Sequence, residues 1–231
     1  MEKPDNHSLV QTFLYGAIVF GVFSASRLAI QFGLEAFIIS GDASDFSGLI
    51  ISLSTVFSSL AGILTLRLVI RTIGIPSKEI WGTPSFHIKE IGKWLFLCIV
   101  TACLYDAIRY AECREIVPEW LVSIYLTTHS WVLFLLSFVG VAPVFEELFF
   151  RGFLVNRLSK SALGVFGASV VTSLLWALTH MQYTFFDMTV IFMLGMFFCY
   201  ARIKTASVYT CVFMHMVLNL WTFLEIILLS S

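Results

Sequence analysis

The sequence has few charged residues for its length. Only 13% of its 231 residues are Asp, Glu, Lys or Arg, whereas soluble domains carry about 25%. Hydrophobic residues make up 58% of the chain, and the mean hydropathy is +0.90. A chain of this composition cannot cover a water-facing surface with polar groups, so we expect an integral membrane protein embedded in a lipid bilayer.

Other features are also missing, and each absence excludes a class of protein. A formal net charge of −1 leaves no basic excess for binding nucleic acid. Four of the five cysteines lie in apolar stretches, which gives neither a disulfide framework nor metal-ligand spacing. There is no internal repeat, low-complexity tract or long linker. We therefore expect a single integral membrane domain over residues 1–231.

Long apolar runs predict an all-α, polytopic transmembrane bundle, because crossing the hydrocarbon layer takes about 20 mostly apolar residues. The seven predicted spans are Leu9–Ile39, Gly48–Ile70, Trp94–Tyr110, His129–Leu158, Gly164–Met181, Met188–Arg202 and Ala206–Leu229. The sixth is short and is expected to end within the protein. The segment Ser77–Lys93, which contains Pro84, is expected to lie at the membrane interface.

Basic residues favour one side of this predicted bundle. Eleven of the 14 basic residues lie on the same side as the N-terminus: Lys3, Arg67, Arg71, Lys78, Lys89, Lys93, Arg151, Arg157, Lys160, Arg202 and Lys204. The positive-inside rule then predicts a cytoplasmic N-terminus and an outside C-terminus. The N-terminal run is expected to be an uncleaved first span, and the pattern is typical of a bacterial inner (plasma) membrane protein.

Three charged residues lie within the fourth predicted span, in the stretch VFEELFFRGF. Arg151 follows Glu147 by four residues, so the two share a helix face and are expected to pair. Glu146 points about 100° away from Glu147 and is expected to face a cavity. Charges at membrane depth are costly and usually mark function, although a network that only fixes helix packing is the alternative.

Two further pairs of polar or aromatic residues are spaced one helical turn apart. The stretch WALTH places Trp176 and His180 in the fifth predicted span, and HMVLN places His215 and Asn219 in the seventh. A lone histidine on an apolar face is more often a hydrogen-bonded core residue. At a helical rise of about 1.5 Å per residue, however, Glu146 and both histidines fall at similar depths. We therefore expect the polar site inside the membrane, among spans four, five and seven.

These residues resemble the motifs EExxxR, FxxxH and HxxxN of the CPBP family of intramembrane proteases (CAAX-processing and bacteriocin-processing, also called Abi). The matching positions are Glu146, Glu147, Arg151, Trp176, His180, His215 and Asn219. One departure is that Trp176 stands where the family usually has Phe. The resemblance covers about residues 125–225 and implies an intramembrane endopeptidase that acts on a membrane-associated protein or peptide substrate.

The resemblance also implies a role for each catalytic residue. Glu146 would be the general base that activates a water, assisted by His180. His215 and Asn219 would stabilise the oxyanion of the tetrahedral intermediate. Peptide hydrolysis would then proceed without a covalent intermediate.

The remaining motif residues, Glu147 and Arg151, would orient the site and hold the helix. Glu146, His180 and His215 are also of the types that ligate zinc, so a metal site remains possible. No HExxH motif is present, and activation of water by glutamate and histidine explains the same residues without metal. We therefore expect no tightly bound zinc.

Two other classes of function remain open. One is a binding or bacteriocin-immunity protein that keeps the protease fold without turnover. The other is a haem carrier ligated by His180 and His215, which would leave Glu146 and Glu147 unexplained. The sequence does not indicate which membrane-associated substrate is cleaved.

Overall fold

The protein is all-helical over the residues that the computed structural model describes, which are 6–37, 43–82 and 88–230. The helices are α1 (Asn6–Phe37), α2 (Ser47–Thr72), α3 (Ser77–Trp81), α4 (Ile88–Ala111), α5 (Glu119–Thr127), α6 (Trp131–Ser159), α7 (Gly164–Leu178), α8 (Phe185–Thr205) and α9 (Val208–Ser230). A 3₁₀ turn, Ala43–Phe46, precedes α2. The predicted all-α class is confirmed.

Six of the described helices are long and apolar enough to cross a membrane, namely α1, α2, α4, α6, α8 and α9. The fifth predicted span corresponds to α7, which has only 15 residues, whereas the helix expected to be short, α8, has 21. The prediction that the sixth span is the short one is therefore wrong, because the helix of the fifth span is the shorter of the two. The prediction of a multi-pass helical membrane protein is confirmed.

Capping residues explain why α7 and α8 differ from the predicted spans. At the end of α7, the Thr179 hydroxyl donates a hydrogen bond of 2.7 Å to the carbonyl of Trp176. At the start of α8, Thr184 and Asp187 form a reciprocal capping box, which fixes the helix start at Phe185 rather than at the predicted Met188.

The predicted interfacial segment is only partly described. It contains α3 and the first turns of α4, while Pro84 lies outside the described residues, as does the predicted end of the first span at Ile39. Helix α5 was not expected from the apolar runs, because its nine residues are too short to form a span. Pro118 is its N-cap and disfavours helical conformation at the preceding Val117, so the helix cannot begin earlier.

The chain forms two compact units, and the first comprises the described residues of Met1–Phe20, Ile63–Phe86 and Glu146–Val212. In this unit α7 and α8 pack closely at a glycine. A Cβ atom added at Gly195 would lie 2.8 Å from the Cβ of Ser173, so only glycine allows the observed approach. The close contact fixes the position of α7, which carries Trp176.

The second unit comprises the described residues of Gly21–Gly62, His87–Phe145 and Phe213–Ser231. Its core is an aromatic and aliphatic cluster in which Phe134 stacks on Phe223, with ring centroids 5.8 Å apart. Tyr125 packs edge-on against both rings. This cluster joins α5, α6 and α9. The prediction of a single domain stays a prediction.

Candidate active site

Helix α6 departs from regular α-helix on both sides of the two glutamates. The segments Leu135–Val141 and Leu148–Leu154 are wound as π-helix, and Ala142–Glu147 between them is α-helical. Hydrogen bonds in a π-helix join residues five apart, and such wider turns are frequent at functional sites. The winding therefore marks the part of α6 that carries Glu146, Glu147 and Arg151.

Glu147 and Arg151 form a buried ion pair in the first unit. Nη1 of Arg151 donates to Oε1 of Glu147 at 2.9 Å, and neither side chain is exposed. Within the described residues, Nε and Nη2 of Arg151 have no hydrogen-bond acceptor. The guanidinium instead lies over the ring of Trp176, 4.2 Å from its centroid, and 5.3 Å from that of Phe198. The pair expected from the four-residue spacing is thus present.

Glu146 has a different environment from that of its neighbour Glu147. Its side chain is half-buried rather than fully enclosed. Nε1 of Trp176 donates a hydrogen bond of 2.6 Å to Oε2 of Glu146. Because the indole N–H can only donate, Oε2 is the acceptor and this contact orients the carboxylate.

His180 lies just beyond the end of α7, in the turn before α8, and not within a span as the sequence suggested. Its Nδ1 is 2.9 Å from the carbonyl oxygen of Trp176, and its ring packs edge-on against the indole at 5.3 Å. A carbonyl oxygen can only accept, so Nδ1 carries the proton in the neutral ring. Nε2 then carries the lone pair and can accept a proton.

Tyr183 and Asp187 belong to the same region and were missed by sequence reasoning. The Tyr183 ring lies 6.0 Å from that of His180. Burial, followed by the negative charges of Asp187 and Glu146, raises the pKa of Tyr183 above its ordinary value. The spacing of Thr184 and Asp187 is a capping signal that could have located this turn.

The second motif pair, His215 and Asn219, lies in the second unit on α9. His215 is buried, with 6% of its surface exposed. The side-chain amide of Asn219 donates a hydrogen bond of 2.7 Å to the carbonyl of Phe138. Convergence of this pair with Glu146 and His180 on one cavity stays a prediction.

The expectation of no tightly bound zinc stays a prediction, as does the alternative of a zinc held by Glu146, His180 and His215. Within the described part of each unit, no three His, Cys, Asp or Glu side chains are grouped closely enough to hold a metal ion. In the first unit, Oε2 of Glu146 and Nδ1 of His180 already have protein partners. Oε1 and Nε2 are the atoms that remain for a metal or for water.

The fold and these polar residues define a multi-pass helical membrane protein with charged groups held inside its spans. Residues 128–221 match the family model described as Type II CAAX prenyl endopeptidase Rce1-like. The match contains all the motif residues and confirms the predicted resemblance to the CPBP family. Because this is a family of CAAX proteases, the predicted protease class is also confirmed. No curated protein and no solved structure gives a match.

Proposed function

We propose that this protein hydrolyses a peptide bond of a membrane-associated protein or peptide, with Glu146 as the general base. The observation that supports this most directly is the difference between two adjacent carboxylates. Glu147 is enclosed and paired with Arg151. Glu146 is half-buried, oriented by Trp176, and retains Oε1 for water.

In the proposed reaction, a water bound between Glu146 and His180 loses a proton to the carboxylate as its oxygen attacks the scissile carbonyl carbon. The C–N bond then breaks, and the proton passes to the departing nitrogen. The products are a carboxylate and an amine, so no covalent enzyme intermediate forms. The Nδ1–H···O=C contact of His180 supports its assisting role, because it keeps Nε2 as the basic atom.

His215 and Asn219 are proposed to stabilise the tetrahedral oxyanion. The support from the second unit is that the Asn219 amide is already fixed by its contact with Phe138. An amide carries two N–H bonds, so anchoring one sets the direction of the other. Donors that are oriented before the reaction stabilise developing charge most effectively.

Glu147 and Arg151 are proposed to hold the site rather than to react. Breaking a buried pair leaves one charge without compensation, which costs roughly 3–5 kcal/mol. The stacking of Arg151 on Trp176 supports this role, because it links the pair to the residue that contacts Glu146.

The proposal is tested with Glu146→Gln in proteoliposomes, using a C-terminally prenylated CAAX peptide and the same peptide without its prenyl group. Removing a general base typically lowers the rate about 10²–10⁴-fold. The melting temperature should stay close to that of the parent. Glu112→Gln is the control, because Glu112 pairs with Arg114 at an exposed position. Normal cleavage by Glu146→Gln would contradict the proposal, and no cleavage of either peptide by the parent would favour the immunity-protein alternative.

Catalysis is proposed to need no tightly bound zinc. Activation of water by Glu146 and His180 accounts for the residues present, and one ligand atom of each already has a protein partner. Parent protein treated with 1,10-phenanthroline and then freed of the chelator should keep its turnover. Loss of turnover that returns on addition of zinc would contradict this proposal.

The N-terminus is proposed to be cytoplasmic and the C-terminus outside, supported by the uneven distribution of the 14 basic residues. Reporter fusions after Lys78 and Lys160 should read cytoplasmic, and fusions after Asp42 and Glu115 should read outside. A cytoplasmic signal after Glu115 would contradict the proposed topology.

A further inference from the structure

We propose that Trp176 is the positioning residue for the catalytic glutamate, acting through its indole N–H. The inference rests on the proposed role of Glu146 as general base. Its starting observation is the hydrogen bond of 2.6 Å from Nε1 of Trp176 to Oε2 of Glu146. The phenylalanine usual at this motif position has no N–H, so this contact depends on the tryptophan.

The indole that makes this contact is held on several sides within the first unit. Only 4% of Trp176 is exposed. Arg151 lies over its ring at 4.2 Å, and the Phe198 ring lies 5.8 Å away. A large planar side chain enclosed in this way is held against rotation by its neighbours, so its N–H keeps one direction.

Fixing one carboxylate oxygen determines what the other can do. With Oε2 bound to the indole, Oε1 is the oxygen left to receive a proton from water. A hydrogen bond to an ionised carboxylate is short and strong compared with one between neutral groups. Glu146 therefore has a defined orientation before substrate arrives, and positioning of this kind contributes to the rate of the chemical step.

Trp176 also orients the second proposed base. Its main-chain carbonyl accepts from Nδ1 of His180, while its side chain donates to Glu146. One residue at the end of α7 thus sets the direction of both proton-accepting groups. The buried Glu147–Arg151 pair helps to hold Trp176 in place, because Arg151 stacks on the face of its indole ring.

The decisive variant replaces Trp176 with β-(3-benzothienyl)alanine, in which sulfur stands in place of the indole N–H and the ring size is kept. We expect kcat for the prenylated peptide to fall about 10- to 100-fold, the loss that corresponds to one charge-assisted hydrogen bond. KM should stay within about twofold, since the contact acts on the base and not on substrate binding. Trp176→Phe should show the same split between kcat and KM. Trp131, which is 61% exposed, provides the matched control for both replacements.

A double-variant cycle separates positioning from a structural role. In the Glu146→Gln background, replacing Trp176 should not lower the residual rate further, because no base remains to be positioned. An equal loss in both backgrounds, or an unchanged kcat for the benzothienyl variant, would overturn the inference. If Glu146→Gln itself cleaves normally, the proposed function fails instead, so the two failures are distinguishable.

Discussion

The side-chain amide of Asn219 donates a hydrogen bond of 2.7 Å to the main-chain carbonyl of Phe138. Phe138 lies in the π-helical segment Leu135–Val141, where carbonyls accept from the residue five positions later. For Phe138 that residue is Pro143, which has no N–H. Asn219 therefore supplies a hydrogen bond that the backbone of α6 cannot make.

Replacing Asn219 with Ala should destabilise the protein by about 0.5–1.5 kcal/mol, because the half-buried carbonyl of Phe138 loses its donor. The loss should be smaller in a Pro143→Ala background, where the backbone regains an N–H at the right position. Thermal unfolding in detergent measures both effects. Equal destabilisation in the two backgrounds would show that Pro143 is unrelated to the role of Asn219.

Glu147→Gln should lower stability more than it would at an exposed site, because it leaves the buried Arg151 cation uncompensated. The single change should cost roughly 3–5 kcal/mol, and Arg151→Met should cost a similar amount. The double change should recover part of the loss, since neither charge is then left alone. Melting curves of the four proteins test this, and a Glu147→Gln protein that is stable yet inactive would instead assign Glu147 a direct catalytic role.

Tyr183 should make stability fall with rising pH. Burial and the charges of Asp187 and Glu146 raise its pKa in the folded protein, so the unfolded chain releases this proton first, near pH 10. The contribution of Tyr183 to the stability of the folded protein is therefore complete below about pH 10 and is lost as the pH rises above it. Melting temperatures between pH 9 and about 11.5 should decline less steeply for Tyr183→Phe than for the parent. Tyr110→Phe controls for loss of a phenol at an exposed position, and identical slopes for Tyr183→Phe and the parent would contradict the prediction.

Gly195→Ala should destabilise the first unit, because the new Cβ would lie 2.8 Å from the Cβ of Ser173. Overpacking of this kind typically costs about 1–3 kcal/mol. Gly21→Ala is the matched control, since a Cβ there meets no atom within 4 Å and alanine favours the helix. Equal melting temperatures for parent and Gly195→Ala would mean that α7 and α8 can separate without cost.

Local spacing made part of the site predictable. The pairing of Glu147 with Arg151 follows from a four-residue offset within one helix, and the structure contains it. The contact between Trp176 and Glu146 joins residues 30 positions apart, so no periodicity in the sequence indicates it. In the sequence, Trp176 stands out only as a departure from the motif.

Helix boundaries were less predictable than helix existence. Apolar runs located every described spanning helix but ignored the polar residues that end α7 and begin α8. As a result His180 was assigned to a span, although Thr179 ends the helix before it. Hydropathy measures the preference for lipid, whereas Thr179, Thr184 and Asp187 act through hydrogen bonds to the backbone.

Helix α3 has only five residues, far fewer than the roughly 12–15 that a helix needs for stability by itself in water. Its main-chain carbonyls at Glu79 and Ile80 accept from Asn156 and Arg202, which belong to α6 and α8. The short helix therefore exists only while those two longer helices hold it. Limited proteolysis between Ser77 and Gly82 would thus report the first loosening of α6 or α8, before the spans themselves unfold.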